Sequence, residues 1–354
     1  MTYWDKLTIE RIRRGFYSAT YFNRTKYILE REGDTTVVTM QIFQRNENSV
    51  LCGVDEVGEL LRVGAGMWRG ARWVSKNQTL TVSALSDGDT IGNREPIMHV
   101  TGSYLYFAHL ESLYLGILAR RTMVATNTRC VIEAANGKPV FFFADRFDDF
   151  HNQEGDGYAA HIGGAAGVCT VAHASRWNGI PVGTIPHALI AVNDGSTVKA
   201  AELFAKHIRG VNIVALVDFD NDCVGSSLAV AKALGKKLWG VRLDTAGNMV
   251  DKSLSKNTKN MFGVNPTLVM LVRKALNDNG YGHVKILVSG GFTEEKVRMF
   301  EKEKTPVDGY GVGSALVHGN NDFTADIVKV NGKRIAKAGR SYQVNSRMKV
   351  NNFS

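Results

Sequence analysis

Along the middle of the chain, short apolar runs rich in β-branched residues alternate with longer stretches of mixed polarity, and each run ends abruptly in polar or charged residues. The clearest are residues 180–187 (Ile-Pro-Val-Gly-Thr-Ile-Pro-His), 211–220 (closing on Asp218-Phe-Asp220) and 238–245 (Leu-Trp-Gly-Val-Arg-Leu-Asp-Thr). A strand buried on both faces reads as a continuous apolar run, and its polar carboxyl end is where a parallel sheet opens onto a site. Residues 196–210 and 226–235 between them have helical composition and close on Gly210 and Gly235, suited to a helix C-terminus. Strand, helix and strand at this spacing predict right-handed βαβ units.

The pattern extends to both sides. Residues 140–144, 284–288 and 307–310 read as further strands, six with 180–184, 213–217 and 238–242, which predicts a closed or irregular (β/α) barrel with its site at the carboxyl ends. Residues 157–179 read as a long helix of small residues broken at Gly163-Gly164, and Asn265-Pro266 as the capped start of another. Upstream, residues 36–43, 78–85 and 97–101 read as strands of a smaller α/β layer. Residues 104–121 predict a largely buried helix in which Glu111 needs a partner, an arginine being the structural expectation. After Leu316, Asn331-Gly332 signals a terminal hairpin returning to the first domain's sheet. The expected division is residues 1–103, 104–317 for the barrel, and 318–354 returning.

Length and charge narrow the class. At 354 residues the chain exceeds one ordinary core, and 44% hydrophobic content can fill two. No apolar run spans a bilayer and the first residues do not read as a signal peptide, so no membrane partner and a cytoplasmic enzyme are expected. The cysteines Cys52, Cys130, Cys169 and Cys223 are far apart, without a zinc or disulfide pattern. A net charge of +9 suits anionic ligands; with no interleaving of aromatics and cations, small phosphorylated substrates are favoured over nucleic acid.

Several residues at the strand ends could carry chemistry. Ser289-Gly290-Gly291 and Gly311-Val-Gly313 are glycine turns after the last two strands, the usual phosphate position of barrels. Arg242 and Asp244 share a strand face, the arginine fit to grip phosphate or carboxylate and the aspartate to accept ribose hydroxyls, unless the two merely pair. Asp218 and Asp220 are spaced for Mg²⁺. His187 is open to a nucleophilic, acid/base or structural role, with Arg146 supplying positive charge opposite.

These residues resemble the nicotinate phosphoribosyltransferases, of the shorter archaeal and bacterial type. The motifs, in order, are Thr20-Tyr21-Phe-Asn-Arg-Thr25, Arg94-Glu-Pro96, Glu111 with Leu115-Gly-Ile-Leu118, Asp145-Arg146, Gly183-Thr184-Ile-Pro-His187, Val241-Arg-Leu-Asp-Thr245, Val288-Ser-Gly-Gly-Phe292 and Gly309-Tyr-Gly-Val-Gly-Ser314. The resemblance implies an N-terminal α/β sandwich, an irregular α/β barrel and a homodimer that shares its active sites. It implies phosphoribose transfer from phosphoribosyl pyrophosphate to nicotinate with Mg²⁺, with ATP phosphorylating His187. Tyr21 corresponds to an aromatic that stacks on the pyridine ring from the neighbouring subunit, Arg146 and Arg242 to basic residues around the carboxylate and phosphates, and Asp244 to the ribose-contacting acid. Relatives often carry Asp where this chain has Ala166, and the zinc module some append is not expected here. Quinolinate phosphoribosyl transfer and a non-catalytic phosphate-binding barrel are the alternatives.

Overall fold

The two hydrophobic rhythms of the chain, alternating near its ends and continuous in its middle, fold into two different kinds of sheet. The computed structural model describes residues 3–254 and 261–351. Two compact units form, one of Met1–Thr126 with Gly319–Ser354 and one of Asn127–His318. The division falls inside the helix Glu111–Ala134, further along than the residue 103/104 expectation. Among the described residues, no helix is long and apolar enough to cross a membrane.

In the first unit an antiparallel sheet runs in the order Thr324–Val330, Val37–Phe43, Met98–Ser103, Thr81–Ala84, Lys349–Asn351. Alternate residues such as Val38, Met40, Ile42, Val82 and Val100 join one core with Leu60 and Leu61 of the helix Val54–Gly64 and with Tyr114 and Leu118. The expected return of the C-terminus to this sheet is observed on both edges. The hairpin is not completed: after the turn at Asn331 (φ 46°) and Gly332 (φ 78°), a single bridge joins Val330 to Lys333. The chain then lies over the sheet's other side, with Tyr342 stacked on His99 at 5.0 Å and the Gln343 N–H donating to Gln41 Oε1 at 2.9 Å. A second arm would have been an unsupported outer edge, with Ile335 half exposed as it already is.

The helix expected over 104–121 begins instead at Glu111, after two 3₁₀ turns, and continues to Ala134. Its polar middle is accounted for by hydroxyls that satisfy neighbouring backbone: Thr122 Oγ1 accepts from Cys52 N (3.1 Å) and Thr126 Oγ1 from Val50 N (2.9 Å). Among the described residues no arginine pairs with Glu111; the Tyr104 hydroxyl donates to it at 3.5 Å.

The second unit holds six parallel strands in the order Ile213–Leu216, Leu238–Leu243, Lys285–Val288, Gly309–Val312, Val140–Phe142, Gly167–Val168. The two outermost strands do not pair, so the sheet is a curled, incomplete barrel. The sixth strand is not 180–184, as the sequence suggests, but Gly167–Val168, inside the stretch read as a helix. That helix stops at Gly163, where Gly164 (φ 104°) turns the chain left-handed. Residues 180–185 cross the open seam with one hydrogen bond to each edge, Val182 N–H to Val168 O (2.8 Å) and Ile185 N–H to Val214 O (3.2 Å). Pro181 and Pro186 have no N–H to give, so a full ladder cannot form.

The unpaired Glu111 carboxyl is pushed up to about 7 by burial, with the Asp326 charge adding and the Tyr104 hydrogen bond opposing. A carboxyl raised in the folded state stabilises most below its ordinary value of 4.5 and loses that contribution as pH rises through about 7. Melting curves of the native chain and of Glu111→Gln should therefore diverge across this window, the variant gaining on the order of 1–2 kcal/mol at the upper end. Parallel pH profiles would contradict this.

Candidate functional site

A cavity of about 270 Å³ opens at the carboxyl ends of the second unit's strands, where apolar runs give way to polar residues. The site residues read from the sequence gather here: Arg146, Thr184, Arg242, Asp244, Ser289, Gly290, Gly291, Gly311 and Gly313 all line it. Their convergence follows from register. Arg242 pairs with Leu287 and Leu243 with Val288 across parallel strands, so the ends of these strands lie level and their next residues meet in one mouth.

Arg242 is the exceptional group. Its side chain is largely buried, its guanidinium lies over the Phe143 ring at 5.7 Å, and its Nε has no hydrogen-bond partner. Burial lowers its pKa and the nearby Arg146 adds to that effect, while Asp244 and Asp218 oppose it. A guanidinium keeps its proton regardless, so the site holds an underpaired cation. The simple Arg–Asp pair is not formed: Asp244 Oδ1 accepts from the Ser289 hydroxyl at 2.7 Å, which fixes the carboxylate toward the cavity rim.

Two glycine turns supply backbone donors. Gly290 (φ 87°) and Gly291 (φ 67°) adopt the left-handed region that other residues avoid, and Lys296 Nζ caps the Gly290 carbonyl at 3.3 Å. The helix that follows, Glu294–Lys302, has Thr293 as its cap and Glu294 and Glu295 in its first turn, so its own N-terminus is already satisfied. That leaves the loop N–H groups, rather than the helix end, as the donors this mouth could offer an anion. A Cβ on Gly311 would lie 2.6 Å from the Phe143 ring and one on Gly313 2.4 Å from the Phe147 ring; both glycines make room for aromatic walls.

His187 opens the short helix His187–Ala191 beyond Pro186, which lines the cavity. Its Nε2 meets Asp218 Oδ1 and Oδ2 at 3.0 and 3.1 Å. Burial and the Asp244 charge raise the Asp218 pKa against the lowering effect of His187. Asp218 and Asp220 differ in setting. The chain turns at once, Asn221 N–H donating to Asp218 O at 2.9 Å, and Asp220 is exposed. Among the described residues, no group of three or more His, Cys, Asp or Glu is placed to hold a metal ion. Tyr21 belongs to the first unit, on the helix Thr20–Glu32, none of whose residues is buried; it is 63% exposed. Ala166 is exposed and does not line the cavity, its N–H bonding to Val140 O at 2.8 Å.

Sequence reasoning missed the walls. Phe143 and Phe147 were readable only as strand and turn residues, and Cys169 only as a buried thiol. The Cys169 thiol donates to Asp145 Oδ1 at 3.3 Å, and burial beside that carboxylate pushes it up to about 12, so it stays protonated.

Residues 19–122 match the family model described as the quinolinate phosphoribosyl transferase N-terminal domain. Over its whole fold the chain is similar to the crystal structure of nicotinate-nucleotide pyrophosphorylase from Pyrococcus furiosus, at 34% identity and TM-score 0.80, covering 96% of this chain and 81% of that one. Human nicotinic acid phosphoribosyltransferase shares the fold, with TM-score 0.69 at 16% identity over 92% of this chain and 77% of that one. A nicotinate phosphoribosyltransferase of Mycobacterium tuberculosis is 29% identical over 254 residues, 70% of this chain and 52% of the relative. The chain thus spans about half the length of the curated relatives it matches.

Arg242→Gln should weaken binding of inorganic pyrophosphate, measured by titration calorimetry, by about 10–100-fold, the worth of a charge-assisted contact. Its melting temperature should be unchanged or raised, because an underpaired buried cation is removed. Unaltered affinity would show that the anion does not meet this residue.

Proposed function

We propose, since this chain belongs to the nicotinate phosphoribosyltransferase type of phosphoribosyltransferase, that it transfers phosphoribose from phosphoribosyl pyrophosphate to nicotinate in NAD biosynthesis. The products are nicotinate mononucleotide and pyrophosphate. The observation that carries this reading is the Arg242 Nε left without a partner in a cavity that also holds Arg146 and two glycine turns. Buried cations of this kind persist where an anion completes them.

The pyridine nitrogen forms a bond to the anomeric carbon as the carbon–oxygen bond to pyrophosphate breaks, its electron pair leaving on oxygen. Negative charge grows on the leaving group and positive charge on the ribose ring. Arg242 answers the first from a largely buried position against Phe143, and Arg146, exposed beside Phe147, adds positive charge at the mouth. Asp244, oriented by Ser289, accepts from the ribose hydroxyls and stands near the positive ring. The turns at Gly290-Gly291 and Gly311–Gly313 take the 5′-phosphate, and Thr184 borders the pyridine end. Asp244 and Asp218, whose charges repel, fit a share in Mg²⁺ together with substrate oxygens; the ion would neutralise pyrophosphate charge. Asp220 contributes nothing to that set.

ATP coupling rests on His187. Asp218, a carboxylate, can only accept from Nε2, which assigns Nδ1 as the ring nitrogen for attack, the arrangement of an oriented imidazole nucleophile. Attack of Nδ1 on the γ-phosphorus releases ADP and leaves a phosphohistidine whose positive ring Asp218 balances. Tyr21, exposed on its helix just after the exposed Phe16 and Tyr17 that precede it, suits contact with a second copy, whose pyridine site it would cover.

Quinolinate is the second reading, favoured by the name of the matching family model. A second carboxylate calls for further cations, and among the described residues Arg146 and Arg242 are the only cationic ones lining the cavity. Incubation with phosphoribosyl pyrophosphate, Mg²⁺ and either pyridine acid should give product from nicotinate, faster with ATP. Product from quinolinate alone, with carbon dioxide, would overturn the proposal. Asp218→Asn should remove most of the ATP stimulation, read as loss of acid-labile ³²P on the protein, and should lower basal transfer as well, since the same carboxylate is assigned a share in Mg²⁺. Full labelling in His187→Ala would dismiss the phosphohistidine.

A further inference from the structure

The second unit has another cavity, at the opposite, amino end of the same strands, which the reaction does not use. It encloses about 410 Å³, within the range of small-molecule pockets. Its walls are almost wholly apolar: Phe141, Phe204, Val214, Leu287 and Trp239. Trp239 is there because of a register shift. Ile213 pairs with Leu238 and Val214 with Gly240, so Trp239 is the extra residue of a bulge and escapes the alternation that would turn it to the face opposite Gly240 and Arg242.

An outer recess of about 480 Å³ continues this cavity to solvent, sharing Ile208, Val211 and Trp239 with it. Its rim is basic. Arg209, Lys236, Lys237 and His283 all line the recess, all are exposed, and none has an acidic partner among the described residues. Ile180, Val211 and Ile208 are 82%, 53% and 45% exposed at the inner mouth, an unusual grouping of large apolar side chains left in water. An apolar hollow offers water few hydrogen-bond partners, and an unpaired basic rim attracts negative charge. The interior has too few donors for pyrophosphate.

We infer that this amino-end cavity is a second ligand site, taking an amphipathic anion whose apolar or aromatic body fills the hollow while its carboxylate, sulfonate or phosphate head lies on the rim. Phe143, Val182, Gly183 and Thr184 line this cavity and the anion pocket alike, so its occupant sits behind the wall of the reaction site.

The test is a fluorescence titration of the full chain with 1-anilinonaphthalene-8-sulfonate, an aromatic anion, beside its uncharged relative N-phenyl-1-naphthylamine. One saturable site per chain is expected, at least about tenfold tighter for the anion. Lys236→Glu with Lys237→Glu should weaken the sulfonate by about tenfold and leave the neutral dye unchanged, since these lysines are exposed. Ile208→Glu should abolish binding of both, at an unchanged melting temperature, and Arg242→Gln should alter neither. Equal affinity for the two dyes, or affinity indifferent to both rim variants, would overturn the inference. So would dye lost only in Arg242→Gln, which would place it in the anion pocket, or a dimer in sedimentation that Ile208→Glu dissociates, which would make the mouth a self-contact.

Discussion

A positive charge held out of water without a full set of partners governs the second unit. Arg242 ends an apolar strand, lies against an aromatic ring, and keeps its Nε unpaired. Desolvating a guanidinium is costly, Asp244 and Asp218 act against burial without forming an ion pair to Arg242, and an arriving anion would offset the cost further. The surroundings preserve this condition: Ser289 draws Asp244 away from a simple ion pair, Arg146 adds like charge, and Gly311 and Gly313 let the Phe143 and Phe147 rings close in as walls. Pre-set charge in a sheltered cavity is also what lowers a barrier in which a pyrophosphate departs, because no reorganisation is required when the charge appears.

The incompleteness of the barrel is the second organising feature. Its outer strands are joined by a proline-flanked segment with one hydrogen bond to each side, not by a ladder. That economy of bonding brings Pro186 to the cavity and starts a helix on His187 directly across from Asp218. It also leaves the amino end of the strands open, where residues 180–183 border an apolar hollow. One irregular segment thus shapes both ends of the unit.

Much of this was legible in the residues. The run 213–217 is apolar on both faces and stops at charge, 238–242 ends in an arginine, and 284–288 gives way to Ser-Gly-Gly, so strand positions and the polarity of the mouth could be read directly. Arg242 and Asp244, two apart, were correctly set on one face. Other features were hidden for physical reasons. Gly167–Val168 is too short to carry a periodic signal, and 180–184 has strand composition but prolines that deny it a ladder. The threonines at 122 and 126 look like helix weakeners until their hydroxyls are seen to serve the backbone of residues 50 and 52. Asp220 shares the parity of Asp218, yet parity ends where the chain turns. The bulge at Trp239 depends on pairing with a neighbour and has no local signature.

The most direct test of the central claim is a crystal structure of the protein with phosphoribosyl pyrophosphate and Mg²⁺. The account predicts pyrophosphate oxygens within hydrogen-bond reach of Arg242 Nε, with the 5′-phosphate against the N–H groups of Gly290 and Gly291. Phosphate density elsewhere, with Arg242 Nε still lacking a partner, would contradict it.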